Sequence, residues 1–194
     1  KSGQVIGLDH NKEMIIHARK RCGGLPQIGF HIGDACQLPA ENQTLDAVSC
    51  TQVLLYVKDV PNVLAEMRRI LKPGGRLVIV ETDWRGVVLN SADNSLTQKI
   101  FSAWDEAVPS PNLPVHLKPL LQKQGFSNIQ VEPIPILNTE YSPSNFSHSM
   151  LKWISKNALT RGVINKEQRT NWLEDLEKKG RSGNFFFCVN RFLF

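Results

Sequence analysis

The sequence predicts an α/β fold: a largely parallel sheet covered by helices on both faces. Three observations carry that expectation. Strand-like and helix-like segments alternate through the first half of the chain. The strand-like segments are apolar on both faces, as buried parallel strands are. Two of them run into an acid, Asp9 and Asp34, where a polar stretch or a helix begins.

Residues 5–8, VIGL, form a short apolar strand that stops at Asp9. Residues 12–21 place Met14, Ile15 and Ala18 on one helical face, and GGLPQ breaks the helix. Residues 28–32 make a second strand that leads into GDA. The loop CQLPAENQT then delivers a third strand at 45–50. Residues 60–71 carry Val63, Leu64, Met67, Ile70 and Leu71 at helical spacing, and KPGG stops them. The fourth strand, 76–81, reads RLVIVE.

The second half has a different texture. Residues 95–107 read as a helix and VPSPNLP as a loop. A short helix at 117–124 ends on Gly125. Residues 129–137 read as a strand, and Pro133 and Pro135 confine it to an edge or a bulge. Two helices follow. Ser142 is expected to cap the first, with Pro143 at its first position and Phe146, Met150, Trp153 and Ile154 on its face. Asn165 and Gln168 form a capping box for the second, whose face holds Trp172, Leu173 and Leu176 and whose end is Gly180. The chain closes on NFFFCVNRFLF, an apolar strand. No linker marks a second domain, so 1–194 is read as one domain with a helical insertion or lid at 139–180.

Composition narrows the function classes. Hydrophobic residues make up 41% and charged residues 21%, ordinary for a globular domain. No apolar run approaches the roughly 18 residues of a membrane span. The net charge is +5, but the cations sit in HARKRC, MRRILK and EKKGR, near helix ends where the dipole favours them. No nucleic-acid signature accompanies them, so no nucleic-acid partner is expected. Cys22, Cys36, Cys50 and Cys188 form no CxxC pair and no zinc spacing. No metal is expected. Cys50 and Cys188 read as core thiols, and a reducing, cytoplasmic compartment follows.

The acids at the strand ends carry the chemistry. Ligands of open α/β sheets bind beyond the carboxyl ends of the strands. A carboxylate there can accept hydrogen bonds from both hydroxyls of a ribose. Asp9 suits that role, although Asp also favours turns and caps at such places. Asp34 repeats the pattern and could accept from an adenine amine while the Ala35 amide donates to the ring. LDAVSCTQVLLYV sends a third strand out into polar Thr51 and Gln52. ILKPGGRLVIVE is a tight helix-to-strand corner, with Gly74 and Gly75 free to take positive φ.

Together VIGLDHNKEMIIHA, GDACQLP, LDAVSCTQVLLYVKD and EMRRILKPGGRLVIVE resemble the class I S-adenosylmethionine-dependent methyltransferases, in particular the small-molecule enzymes related to the ubiquinone and menaquinone methyltransferases. The resemblance covers about the first 85 residues. It implies a Rossmann-like, doubly wound, seven-stranded sheet of order 3-2-1-4-5-7-6 with strand 7 antiparallel. It also implies S-adenosylmethionine as cofactor and methyl transfer to a small-molecule acceptor. Asp9 would hold the ribose diol, with His10 and Met14 beside the adenosine. Asp34 and Ala35 would hold the adenine edge. Thr51, Gln52 and Val53 would pass beside the methionine portion. The family places a strand, an acid and a glycine-rich loop before the strand that ends at Asp9. The sequence supplies none of these, so the chain is expected to be N-terminally incomplete by roughly 30 or more residues, and 1–194 alone is expected to make no competent cofactor site.

Methyl transfer needs alignment above all, and a base only where the acceptor must lose a proton. Tyr56, Asp83 and His116 are the candidates for that role, and Trp84 reads as a wall of the acceptor side. Trp153 and Trp172 read as packing residues of the insertion. A homo-oligomer remains open. Two other readings compete. Asp9 would suit the ribose of NAD in an oxidoreductase, but that leaves Asp34 and LKPGG without a role. A catalytically inactive partner or regulatory protein is the third.

Overall fold

A computed structural model describes residues 3–194 of the chain, so the first two positions of the expected domain lie outside the described residues. The chain divides into two compact units. One gathers the described residues up to Val48 with Asp59–Leu77 and Leu120–Ser127. The other gathers Ser49–Lys58, Val78–Pro119 and Asn128–Phe194. Two strands, β3 (Leu45–Thr51) and β4 (Leu71–Thr82), run from the first into the second.

In the first unit, β1 (Val5–Asp9) and β2 (Ile28–Ile32) pair in parallel, from Val5 opposite Ile28 to Asp9 opposite Ile32. The helix α1 (Lys12–Cys22) crosses between them. Asn11 caps it, accepting from the Glu13 amide, and Arg19, Lys20 and Arg21 sit in its last turn, where cations complement the dipole. The second helix, α2 (Val60–Ile70), is capped by Asp59 and buries Val63, Leu64, Met67 and Ile70, the stripe its spacing predicts. Leu71 takes an extended conformation and starts β4, so KPGG lies within this strand instead of ahead of it. Gly74 has φ 77°, and a Cβ on Gly75 would come within 3.2 Å of the Asp46 carbonyl oxygen, so glycine is required by conformation at one position and by close approach at the next.

In the second unit, β7 (Phe187–Leu193) is the central partner. It runs antiparallel to β4, with Glu81 opposite Phe192 and Thr82 opposite Arg191. On it lies β6 (Glu132–Asn138), antiparallel over its full length. Pro133 and Pro135 are tolerated because β6 pairs with β7 alone, as an edge strand does. A two-residue strand, β5 (Val88–Leu89), also pairs with β7 and was too short to leave a period in the sequence. The strands thus form a five-stranded sheet, β3-β4-β7-β5 with β6 on β7, and a separate two-stranded sheet, β1-β2. The resemblance implies one seven-stranded sheet; no ladder joins these two among the described residues.

Four helices complete the chain: α3 (Asn94–Asp105), α4 (Leu113–Lys123), α5 (Phe146–Thr160) and α6 (Lys166–Arg181). Two sequence expectations fail at their ends. The helix α4 starts four residues early and absorbs Pro119, so His116 lies within a helix and not ahead of one. Ser142 and Pro143 do not open α5. Its N-cap is Asn145, and the Ser147 amide donates instead to the Asn138 side chain at the end of β6. A side chain nearby in space satisfies the helix end, and no local pattern announces it. The capping box of Asn165 and Gln168 forms as expected.

The core of the second unit is aromatic and drawn from every helix segment after β4 except α4. Trp84, Ile100, Trp104, Leu151, Ile154, Ala158, Trp172, Leu176, Phe187 and Val189 are buried together. The insertion helices therefore contribute their apolar faces to this core. No helix among the described residues is long and apolar enough to cross a membrane.

Candidate functional site

The two acids of the first unit come to corresponding places. Asp9 ends β1, and the Gly33 amide, just past the end of β2, donates to its carbonyl. Asp34 follows at once. Each carboxylate uses one oxygen locally: Asp9 Oδ1 accepts from the Asn11 amide at 2.8 Å, and Asp34 Oδ1 accepts from the Cys36 amide at 2.8 Å. These are Asx turns, the structural role an Asp at a strand end often has. Each also leaves Oδ2 without a hydrogen bond among the described residues, so the turn and a ligand do not compete for the same atom. His10 is exposed, its Nδ1 3.5 Å from Asp9 Oδ1. Met14 is 47% exposed on α1 and packs into no core. Ala35 is half-buried beside Asp34.

The exit of β3 lies in the second unit, and β4 holds it residue by residue. Gln52 has φ 56°, a left-handed conformation that costs a non-glycine residue about 1–3 kcal/mol unless its surroundings enforce it. They do. Its amide and its side-chain nitrogen both donate to the Val80 carbonyl, at 2.9 and 3.1 Å, and Thr82 Oγ1 donates to its Oε1 at 2.6 Å. The side chain of Gln52 is thereby tied to β4. Thr51 and Val53 are exposed. The amides of Val53 and Leu54 both donate to Glu81 Oε1, at 3.0 and 2.7 Å, and a one-turn 3-10 helix, Leu54–Tyr56, begins there.

Glu81 is a buried acid that the sequence reading passed over. It is fully buried, and its Oε2 has no partner. Burial pushes its carboxyl up to about 7, against the pull of the Leu54, Val53 and Leu55 amides and of Arg191. The same burial, with Glu81 nearby, pushes the Cys50 thiol up to about 12 and raises the Tyr56 hydroxyl. The signal was present: RLVIVE ends an otherwise apolar run on a carboxylate, as VIGLD does. Cys50 is buried as expected, while Cys188 is only half-buried.

The three candidates for proton transfer lie on different elements. Tyr56 is 46% exposed, its ring edge-on to Trp104 at 6.4 Å. Asp83 is half-buried and caps the 3-10 turn Trp84–Gly86 by accepting from the Arg85 amide. His116 is exposed on α4. No hydrogen bond among the described residues joins any two of them. Trp84 is buried, edge-on to Trp104 at 6.3 Å and stacked on Phe146 at 6.3 Å. Trp153 packs on Trp104 at 4.4 Å and stays 47% exposed. Trp172 is buried, and its indole donates to Thr97 Oγ1.

Comparison with known proteins places this geometry. Residues 1–79 match the family model described as a methyltransferase domain. An uncharacterized 37.1 kDa protein of transposon TN4556 from Streptomyces fradiae is 30% identical over 193 residues, covering 99% of this chain and 54% of that protein. A demethylmenaquinone methyltransferase from Bacillus velezensis is 42% identical over 84 residues, 42% of this chain and 36% of that protein. The chain thus spans about half, or less, of the length of these relatives. Among solved structures, the YcgJ protein of Bacillus subtilis superposes with a TM-score of 0.60 at 19% identity, over 98% of this chain and 80% of that one. A phosphoethanolamine N-methyltransferase of Haemonchus contortus, bound to phosphomonomethylethanolamine and S-adenosylhomocysteine, gives 0.56 at 19% identity, over 98% and 43%. At such identities these structures report the fold alone, a Rossmann-like α/β fold.

Proposed function

We propose that this chain, whose residues 1–79 belong to the methyltransferase domain family, serves in the transfer of a methyl group from S-adenosylmethionine to a small-molecule acceptor. The observation that carries the reading is the pair of acids, Asp9 and Asp34, at corresponding ends of neighbouring parallel strands, each with one carboxylate oxygen unused. Asp9 would accept from the ribose diol and Asp34 from the adenine amine, with His10, Met14 and Ala35 beside the adenosine. Thr51, Gln52 and Val53 would accompany the methionine portion through their backbone, because the Gln52 side chain is held by β4. In this reading strands β1, β2, β3, β4, β6 and β7 correspond to the family's second to seventh strands, with β7 as the antiparallel strand.

The cofactor, when bound, supplies a methyl group already activated on a sulfonium. What the chain must add is orientation of the acceptor and exclusion of water. The chain's residues would have to hold the acceptor's nucleophilic atom in line with that methyl group. Tyr56, Asp83 and His116 are the proposed acceptors of a proton where the acceptor molecule carries one, and Trp84 and Trp153 supply aromatic surface. A relative named for demethylmenaquinone supports an aromatic or lipophilic acceptor.

Titration with S-adenosylhomocysteine tests the reading. Asp9→Ala removes charge-assisted hydrogen bonds worth about 1.5–3 kcal/mol each, so affinity should fall about tenfold or more. Unchanged affinity in a folded variant excludes the ribose role. A screen of small-molecule acceptors with radiolabelled S-adenosylmethionine then reads the reaction itself.

A further inference from the structure

Three successive residues of β4 hold three successive residues at the exit of β3. Val80 takes two donors from Gln52, Thr82 bonds the Gln52 side chain, and Glu81 takes the amides of Val53 and Leu54 on one oxygen. All six residues belong to the second unit. Val80 contributes only its carbonyl, which any residue could supply. Gln52 sits at positive φ with no glycine to ease it. The one side chain that fixes where the backbone goes after this turn is Glu81.

Its placement makes poor sense as stabilisation. A carboxylate with no exposure and one oxygen lacking any partner is a cost to the fold. The groups around it offer little relief: Cys50 on β3 and Tyr56 on the 3-10 turn are neutral, and Arg191 on β7 lies over the Phe146 ring at 4.8 Å instead of bonding the carboxylate. A leucine would fill the same position without the penalty. What a leucine cannot do is accept two backbone amides.

We propose that Glu81 is the positioning residue of the segment that follows β3: by accepting the Val53 and Leu54 amides it holds the left-handed turn at Gln52, and so presets the backbone that meets the methionine portion of the cofactor. Its bearing on the cofactor rests on the function proposed above; its hold on the two amides does not. Glu81 acts through Gln52, Val53 and Leu54 and needs no contact with a ligand.

The test compares Glu81→Leu and Glu81→Gln by amide hydrogen exchange, thermal melting and S-adenosylhomocysteine titration. Losing charge-assisted hydrogen bonds should speed exchange of the Val53 and Leu54 amides, and weaken binding, about tenfold or more in Glu81→Leu. Its melting temperature should change little, because removal of a buried unpaired oxygen offsets the loss of an acceptor for the two amides. Glu81→Gln keeps an acceptor oxygen and should hold both amides and the affinity within about threefold of wild type, since a neutral acceptor is only moderately weaker. A merely structural residue would lose stability and binding together and would not be rescued by Gln. Unchanged exchange in Glu81→Leu overturns the proposal. Should that variant not fold, Glu81→Gln decides, and fast exchange at Val53 and Leu54 in a folded Gln protein overturns it equally. Full-length wild-type protein that binds no S-adenosylhomocysteine overturns the proposed function, while exchange still reads the hold on the loop.

Discussion

Of the side chains on β1, α1 and β2, Ile15 alone is buried, whereas the second unit buries Trp84, Trp104, Trp172, Phe185 and Phe187 in one cluster. Val5, Ile6 and Ile32 remain about half exposed on a sheet of two strands. In the first unit α2 packs through Val63, Leu64, Met67 and Ile70, while the β1–α1–β2 segment takes its order from backbone pairing, Asx turns and caps, and the loop beyond it from Arg69. That guanidinium bonds Glu66 and the carbonyls of Leu38 and Ala40, and so shapes the loop after Asp34. The second takes its order from packing between segments far apart in the chain. The difference separates two ways of placing a functional side chain. Asp9 and Asp34 are placed by local rules, and Glu81 by its neighbours on another strand and turn.

Removing 139–180 should break that contrast most severely. The deletion takes Leu151, Ile154, Ala158, Trp172 and Leu176 out of the core. Each large buried aliphatic side chain contributes about 2–5 kcal/mol, and a domain has roughly 5–15 kcal/mol in total. The near-UV circular dichroism of Trp84 and Trp104 should lose its cooperative melt. A retained melt would restore these helices to the role the sequence suggested for them, a detachable lid.

A single substitution gives the same contrast at lower amplitude. Phe187 is fully buried between Phe146 and the β6 ladder. Phe187→Ala should cost about 3–5 kcal/mol, read as a shift of the denaturation midpoint at constant slope. A cost near zero would mean that the aromatic cluster repacks around the gap.

The first unit was the more legible because its signals are short in range. A strand ending on Asp, a helix with its stripe of Val63, Leu64 and Met67, and two glycines at a corner each announce themselves within a few residues. The errors fall where a distant partner decides. Asn138 satisfies the start of α5, so the serine and proline ahead of it were read as a cap they do not form. Pro119 is accommodated inside α4, on a face whose Val115 is exposed. Glu81 looked like the end of a strand because the two amides it binds lie 28 and 27 residues away in sequence.

Acid–base linkage sharpens the comparison further. The Glu81 carboxyl rises from its ordinary 4.5 to about 7 in the fold, so the folded chain binds the proton more tightly than the unfolded one. Stability from this group is complete below about pH 4.5 and is lost as pH rises to about 7, by on the order of 3 kcal/mol. Glu66 works in the opposite sense. The Arg69 hydrogen bond holds its carboxyl below the usual range, so its smaller contribution is present above that range and lost as pH falls. The difference in stability between wild type and Glu81→Gln cancels the Glu66 part. That difference should slope between pH 5 and 7, a window set by Glu81 alone. A flat difference would show that Glu81 does not change its proton affinity on folding.

The smallest effect belongs to the exposed sheet of the first unit. Ile6 lies opposite Gly29 in the β1–β2 ladder and is 48% exposed, so truncation removes little contact and leaves no enclosed cavity. Ile6→Ala should change stability by about 0.5 kcal/mol or less, as surface substitutions do. Ile79 is the matched control, the same residue type on β4 with no exposure at all. Ile79→Ala should cost about 2–5 kcal/mol, because the surrounding side chains cannot close the space. The pair isolates burial from residue type and from strand propensity, since both positions are isoleucines in strands. Urea denaturation of the two variants in parallel provides the measurement. If Ile6→Ala proved as costly as Ile79→Ala, the face of β1 would be covered in solution, and the contrast between an exposed, locally ordered β1–α1–β2 segment and the packed second unit would fail at its first term.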